Sequence, residues 1–358
     1  MPKNTKNVLY ANENPSIKFF LHHARPLSVI EGRYDNFVYA NFIQVNKTYD
    51  KKYIFDMYPQ FGNGATYGNN IIDNLLENYI ITGDHAKYDY DEFIDLLCEQ
   101  IDKGYYLQTF SNETLIPETL LYKKCNFFCH QGFFYGYDLS RSDFYTLNFD
   151  DKRTYRLIEV DMRIAYNSIF SKKMAEYLVS DERIRPFNEF MLDFYKFKED
   201  LYKYNYTIER VLQEIEKYLH EYVYCKDSAN GQELIYKCYQ NSTWGMDVYD
   251  FFLMYCLGEY TTTFGLQCFC GLYEHKVLMK KRFEFLRLNN INIDKEAFRI
   301  IDEIIHEAEL IKNIHMFYSI KKDDKKLSNC IPRIKRIRDL EGNLLLDVAR
   351  RIKEGFYY

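Results

Sequence analysis

The stretch that most limits what this chain can fold into runs from Cys129 to Asp150. Its first arm, Phe133 to Tyr137, is aromatic and β-prone. Asp138 to Ser142 is polar, and Asp143 to Asp150 is β-prone again. That pattern predicts a β-hairpin. His130 starts the first arm and Asn148 lies near the end of the second, so pairing of the arms brings the two residues together. An Asn or Asp beside a His is a common way of fixing the imidazole tautomer where a nucleophile, a His and an Asx act together. Asp150 is the alternative orienter if the register differs by two residues.

The flanks extend this picture. Phe93, Leu96, Leu97 and Ile101 share one face of a helix predicted over residues 90–104, with Gly104 ending it. Tyr105 to Phe110 reads as a strand, and Thr154 to Val160 as a third strand that closes the sheet. Earlier, Ile17 to Leu21 reads as a short strand or loop. Residues 34–45 and 71–80 read as helices. The Gly- and Asn-rich segment 60–70 lacks the Gly-Lys-Ser/Thr ending of a phosphate loop, so it reads as a connection. The second half is helical. Ile208 to Tyr222, Leu266 to Leu286, and Ala297 to Ile311 after a cap at Asp294 all follow helical spacing. The expected class is α+β.

Net charge is −5 and the isoelectric point is near 6.0, so the basic excess of a nucleic-acid binder is missing. No uncharged run is long enough for a membrane span. The first fifteen residues are polar with no apolar export-signal core. With nine scattered cysteines, this gives the expectation of a cytoplasmic protein with reduced thiols. The cysteine spacings do not make a zinc site. His22 and His23 are candidate metal ligands or a proton relay, but adjacent on an expected strand they would point to opposite faces, which favours surface or capping roles. No metal or cofactor is expected.

Further resemblance lies in the order of features. A His followed six and seven residues later by Gly136-Tyr137, then a return strand carrying Asn, resembles the His–Asn hairpin of papain-like cysteine proteases. Upstream come an amphipathic segment, Asp102-Lys103-Gly104-Tyr105-Tyr106, a polar run, and Ile116-Pro117. From about Asp95 to Phe149 this order is similar to the bacterial family typified by the N-terminal domain of butirosin biosynthesis protein H. The resemblance implies a papain-like catalytic domain over residues 1–162, with a mainly helical domain over 163–358 packed on it. It implies an acyl or peptidyl transferase that takes its group from a carrier-protein thioester and passes it to a small amine, in nonribosomal-type natural-product biosynthesis. The expected partner is an acyl or peptidyl carrier protein bearing phosphopantetheine, with no nucleic acid and no membrane; a homodimer is the base-rate expectation. His130 is then the general base and Asn148 its orienter.

The family pattern also places a nucleophilic cysteine at the start of the first long helix, where the helix N-terminus stabilises a thiolate. No cysteine precedes Cys98. Three readings stay open. Ser28 takes the slot; a later thiol (Cys129, Cys98 or Cys125) serves, although Cys129 and His130, as strand neighbours, face opposite sides; or the site does no covalent chemistry and His130 acts on the amine directly. A hydrolase built from the same residues, or a catalytically silent papain-fold binding protein, are the alternatives to a transferase.

Overall fold

The computed structural model describes residues 4–50, 52–57, 76–83, 88–180, 190–198, 208–220, 243–262, 264–321 and 324–355. Along the chain run β1 (Lys6–Val8), α1 (Leu21–Ile30), α2 (Asp35–Ala40), β2 (Val45–Asp50), β3 (Lys52–Met57), β4 (Leu76–Gly83), α3 (Tyr90–Asp102) and β5 (Tyr106–Asn112). Then come β6 (Cys129–Asp138), β7 (Asp143–Phe149), β8 (Tyr155–Asp161), α4 (Met162–Phe170), α5 (Lys172–Ser180), β9 (Phe190–Phe197) and α6 (Ile208–Leu219). The chain closes with β10 (Thr243–Trp244), α7 (Val248–Cys256), α8 (Gly265–Leu288), α9 (Lys295–Lys321), α10 (Asp324–Leu327) and α11 (Cys330–Gly355). The class is α+β, as expected.

The predicted hairpin is the middle of a seven-stranded antiparallel sheet of order β4-β9-β5-β6-β7-β8. β6 is long enough to take two partners on one edge. β5 covers Cys129 to Phe134, and β1 continues that edge over Gly136 to Asp138. A Cβ on Gly136 would lie 3.0 Å from the Asn7 carbonyl oxygen and from Val8 Cα, so any side chain there would crowd β1. Side chains alternate between faces. One face carries Leu107, Phe134, Tyr137, Phe144 and Val160, under Phe93, Leu97 and Ile101 of α3 and Ala165 and Ile169 of α4. The other carries Tyr106, Phe133, Leu147, Tyr155 and Tyr195, and shares one core with α1, α2 and the C-terminal helices.

That shared core crosses the expected boundary at residues 162 and 163. β9, from beyond it, lies between β4 and β5 in the sheet. In return β2, from before it, lies between β3 and β10 in a small second sheet.

Local expectations were met in part. α3 starts at a full capping box, Asp89 with Glu92, and Gly104 follows its end at φ +89°. Asp294 accepts from Ala297 N (2.9 Å) at the start of α9. Three segments differ. Leu76 to Gly83 is a strand, because its pairing with β9 outweighs the local helical pattern. The segment after Ile17 leads into α1, so His22 and His23 sit on the first turn of a helix and not on a strand. The helix expected over 34–45 stops at Ala40. Its carbonyls are taken by α8: buried Arg282 donates to Tyr39 O and Asn41 O (both 2.7 Å), and His275 Nε2 lies 2.9 Å from Ile43 O. The loop at 60–70 lies outside the described residues.

Four helices meet at a buried ion pair. Lys276 of α8 donates to both carboxylate oxygens of Glu341 of α11, at 2.7 and 2.9 Å. Tyr218 of α6 and Tyr249 of α7 donate to the same carboxylate, at 3.0 and 2.6 Å. Burial lowers the Lys276 pKa, and Glu341 offsets part of that. Removing one partner strands a charge in the interior. Glu341→Ala is therefore expected to destabilise the fold by about 3–5 kcal/mol in denaturant titration, and the double variant Lys276→Met/Glu341→Leu by less than either single change.

Candidate active site

β5 ends where Asn112 folds back on the chain. Its side-chain oxygen accepts from Thr114 Oγ1 (2.8 Å), Thr114 N (3.3 Å) and Phe128 N (3.2 Å). This Asx turn starts a short 3₁₀ turn, Glu113–Leu115, and delivers the Glu113 side chain to the open end of the hairpin.

Glu113 joins the two residues that the hairpin was expected to bring together. Its Oε1 accepts from Asn148 Nδ2 at 2.6 Å, and its Oε2 lies 3.3 Å from His130 Nδ1. The carboxylate is almost fully buried, whereas the His130 side chain is 40% exposed. Burial pushes the Glu113 pKa up, but His130, Arg25 and Asn148 outweigh it and hold the carboxyl below its ordinary value. The Asn148 amide oxygen is occupied by Phe149 N (2.7 Å). Asn148 therefore orients the carboxylate, and the carboxylate faces the imidazole. The order His–Glu–Asn replaces the direct His–Asn contact that the sequence suggested.

Ser111 stands directly across from His130 in the β5–β6 ladder. Residues paired in this way project to the same face with Cβ atoms about 4.5–5.5 Å apart. Cys129 pairs with Asn112 and projects to the opposite face from His130.

The other expected site residues lie elsewhere. Ser28 is fully buried inside α1, donates to Ala24 O (2.8 Å) and lies 3.2 Å from Tyr155 OH. Tyr155 belongs to the α1 side of the sheet, and Asn148 and His130 to the α3 side, so Ser28 is not brought to His130. Asp150 is no orienter. Its carboxylate caps the turn between β7 and β8 through Lys152 N (2.9 Å) and Thr154 N (2.8 Å), and binds Arg156 Nε (2.8 Å). Cys98 is on the buried face of α3, and burial pushes its thiol up to about 12, far from a reactive thiolate. Cys125 is exposed, with its thiol 3.7 Å from Phe127 O.

One cation stands behind the carboxylate. Arg25 of α1 is fully buried, and none of its guanidinium nitrogens has a hydrogen-bond partner among the described residues. Burial lowers its pKa, and the Glu113 carboxylate is the charged group that supports it, with the neutral Tyr155 and Tyr195 hydroxyls also nearby.

No protein family matches this chain. No curated protein matches it either. Among the described residues no helix is long and apolar enough to cross a membrane.

Glu113 and Ser111 are the two residues that sequence reasoning missed. The Asn112-Glu113-Thr114 string does carry an Asx-turn signal. Which side chain that turn presents to His130 depends on the β5–β6 register, which no local pattern encodes.

The low pKa of Glu113 makes a pH prediction. A carboxyl depressed in the folded state contributes stability above its unfolded value, 4.5, and loses it as pH falls through the folded value. The stability advantage of the natural chain over Glu113→Gln should therefore be largest above pH 4.5 and shrink on acidification, read from urea midpoints across that range.

Proposed function

We propose that this chain is a cytoplasmic, papain-like acyl or peptidyl transferase, and that it passes an acyl group from a carrier-protein thioester directly to an amine. The observation that carries the reading is the buried Glu113 carboxylate held between His130 Nδ1 and Asn148 Nδ2. The two stand 3.3 Å apart, an ion-pair distance without hydrogen-bond geometry among the described residues, and a carboxylate so close favours the proton on Nδ1 and leaves the Nε2 lone pair as the base. The half-exposed ring can meet a substrate, while its orienting partner is shielded from water. The sequence resemblance supports the donor: a thioester on a phosphopantetheine arm, with a small amine as acceptor.

In this reading His130 Nε2 takes the proton of the amine as its nitrogen attacks the thioester carbonyl carbon. The tetrahedral intermediate collapses, the C–S bond breaks, and the proton passes from Nε2 to the leaving thiolate. Glu113 stabilises the transient imidazolium, and Arg25 and Asn148 keep Glu113 ionised. Ser28, sealed between Ala24 and Tyr155, takes no acyl group.

Ser111 favours a second reading. A hydroxyl opposite His130 supplies a nucleophile for a two-step route through an acyl-enzyme, as a hydrolase or a transferase.

The test is turnover of an acyl-loaded carrier protein with an amine, followed by intact-protein mass spectrometry. His130→Ala should lower the rate at least about a hundredfold, the usual scale for loss of a general base, without loss of folding. Glu113→Gln should lower it at least about tenfold. Direct transfer predicts no acyl adduct and a normal rate in Ser111→Ala. An adduct that vanishes in Ser111→Ala selects the two-step route, and near-normal turnover by His130→Ala overturns both.

A further inference from the structure

A second cluster lies apart from Glu113 and His130, where α1 meets the small sheet. His22 and His23 open α1, and both turn Nε2 towards Asp56 of β3. His23 Nε2 lies 2.6 Å from Asp56 Oδ1, and His22 Nε2 lies 3.2 Å from Asp56 Oδ2. One nitrogen from each ring and one carboxylate oxygen all lie within 4.8 Å of one another. On a strand, two adjacent histidines could not do this; on the first turn of a helix their rings lie side by side, with centroids 4.2 Å apart.

We propose that His22, His23 and Asp56 form a binding site for one divalent first-row transition ion of the zinc or iron(II) type. Two imidazole nitrogens and one carboxylate oxygen are the donor set that such ions take with open positions left for water or substrate. Ligand-to-ion bonds near 2.0–2.2 Å fit donors already this close, with a small spread of the rings to admit the ion.

The protein holds the set in place. Aromatic rings pack on both histidines: Phe20 stacks on His22 at 5.2 Å, and Phe19 and Phe42 lie 5.5 and 5.9 Å from His23. Asp56 Oδ1 also accepts from Met57 N (2.8 Å), which fixes the carboxylate plane. Access is one-sided. His23 is sealed, whereas the His22 side chain is 29% exposed, so water or a substrate would reach the ion past His22.

The experiment uses the full chain, stripped with a chelator, reduced, and titrated with Co(II). Expected are one equivalent bound, a ligand-field spectrum without a thiolate charge-transfer band, and a rise in Tm with Co(II). His22→Ala and Asp56→Asn should each weaken binding at least about tenfold, since loss of even an outer-shell partner costs 10–100-fold. His22 is partly exposed, so its variant should keep the fold by circular dichroism and decide the matter if Asp56→Asn does not fold. No binding, a thiolate band, or affinity unchanged in folded His22→Ala overturns the assignment.

Discussion

A sheet with large aromatic side chains on both faces must be covered on both, and the rest of this structure follows from that requirement. Phe134, Tyr137 and Phe144 on one face are covered by α3 and α4, which flank the sheet in sequence. Tyr106, Phe133, Tyr155 and Tyr195 on the other need a second layer. That layer is drawn from both ends of the chain, α1 and α2 from the start and the long helices from the end. The C-terminal half is therefore the second wall of the same core. Its insertion of β9 between β4 and β5 makes the two halves interdependent.

The covering layer has its own polar fastening. Lys276, Glu341, Tyr218 and Tyr249 satisfy one another in the interior, with Glu341 as the shared acceptor. A buried pair of this kind is weak evidence for net stability, but a displaced helix would leave one of its charges unpaired. α8 carries a second such device. Arg282 and His275 bind carbonyls from residues 39 to 43, which fixes where α2 ends and where β2 begins. β2 and β3 then place Asp56 beside the two histidines of α1.

The hairpin at the centre has the opposite character. Around Glu113 the sheet ends in a turn, and polar side chains replace aromatic ones. A buried carboxylate with an imidazole on one oxygen and an amide on the other is costly to assemble. Its neighbours keep it ionised, and the one partly exposed member is the imidazole. Arg25 completes the balance from α1, with its guanidinium supported by charge and not by hydrogen bonds among the described residues.

Elements whose pattern is local could be read from the chain itself. The β6–β7 hairpin, the helix α3, the third strand β8 and the helices α6, α8 and α9 were legible in side-chain periodicity and turn residues, whereas α7 and α11 were not singled out. The chain also pointed to His130 and Asn148, because a hairpin's geometry is a short-range consequence of its turn. Only the tertiary structure decided what lies between and beside them. Glu113 reaches His130 through strand register, and β4 is a strand because β9 pairs with it from more than a hundred residues away. α2 is short because α8 takes its carbonyls. His22 and His23 converge because a helix forms where the local pattern suggested a strand. Each of these outcomes is set by a partner distant in sequence, and hydrogen bonds and burial supplied from afar leave no mark in the local pattern.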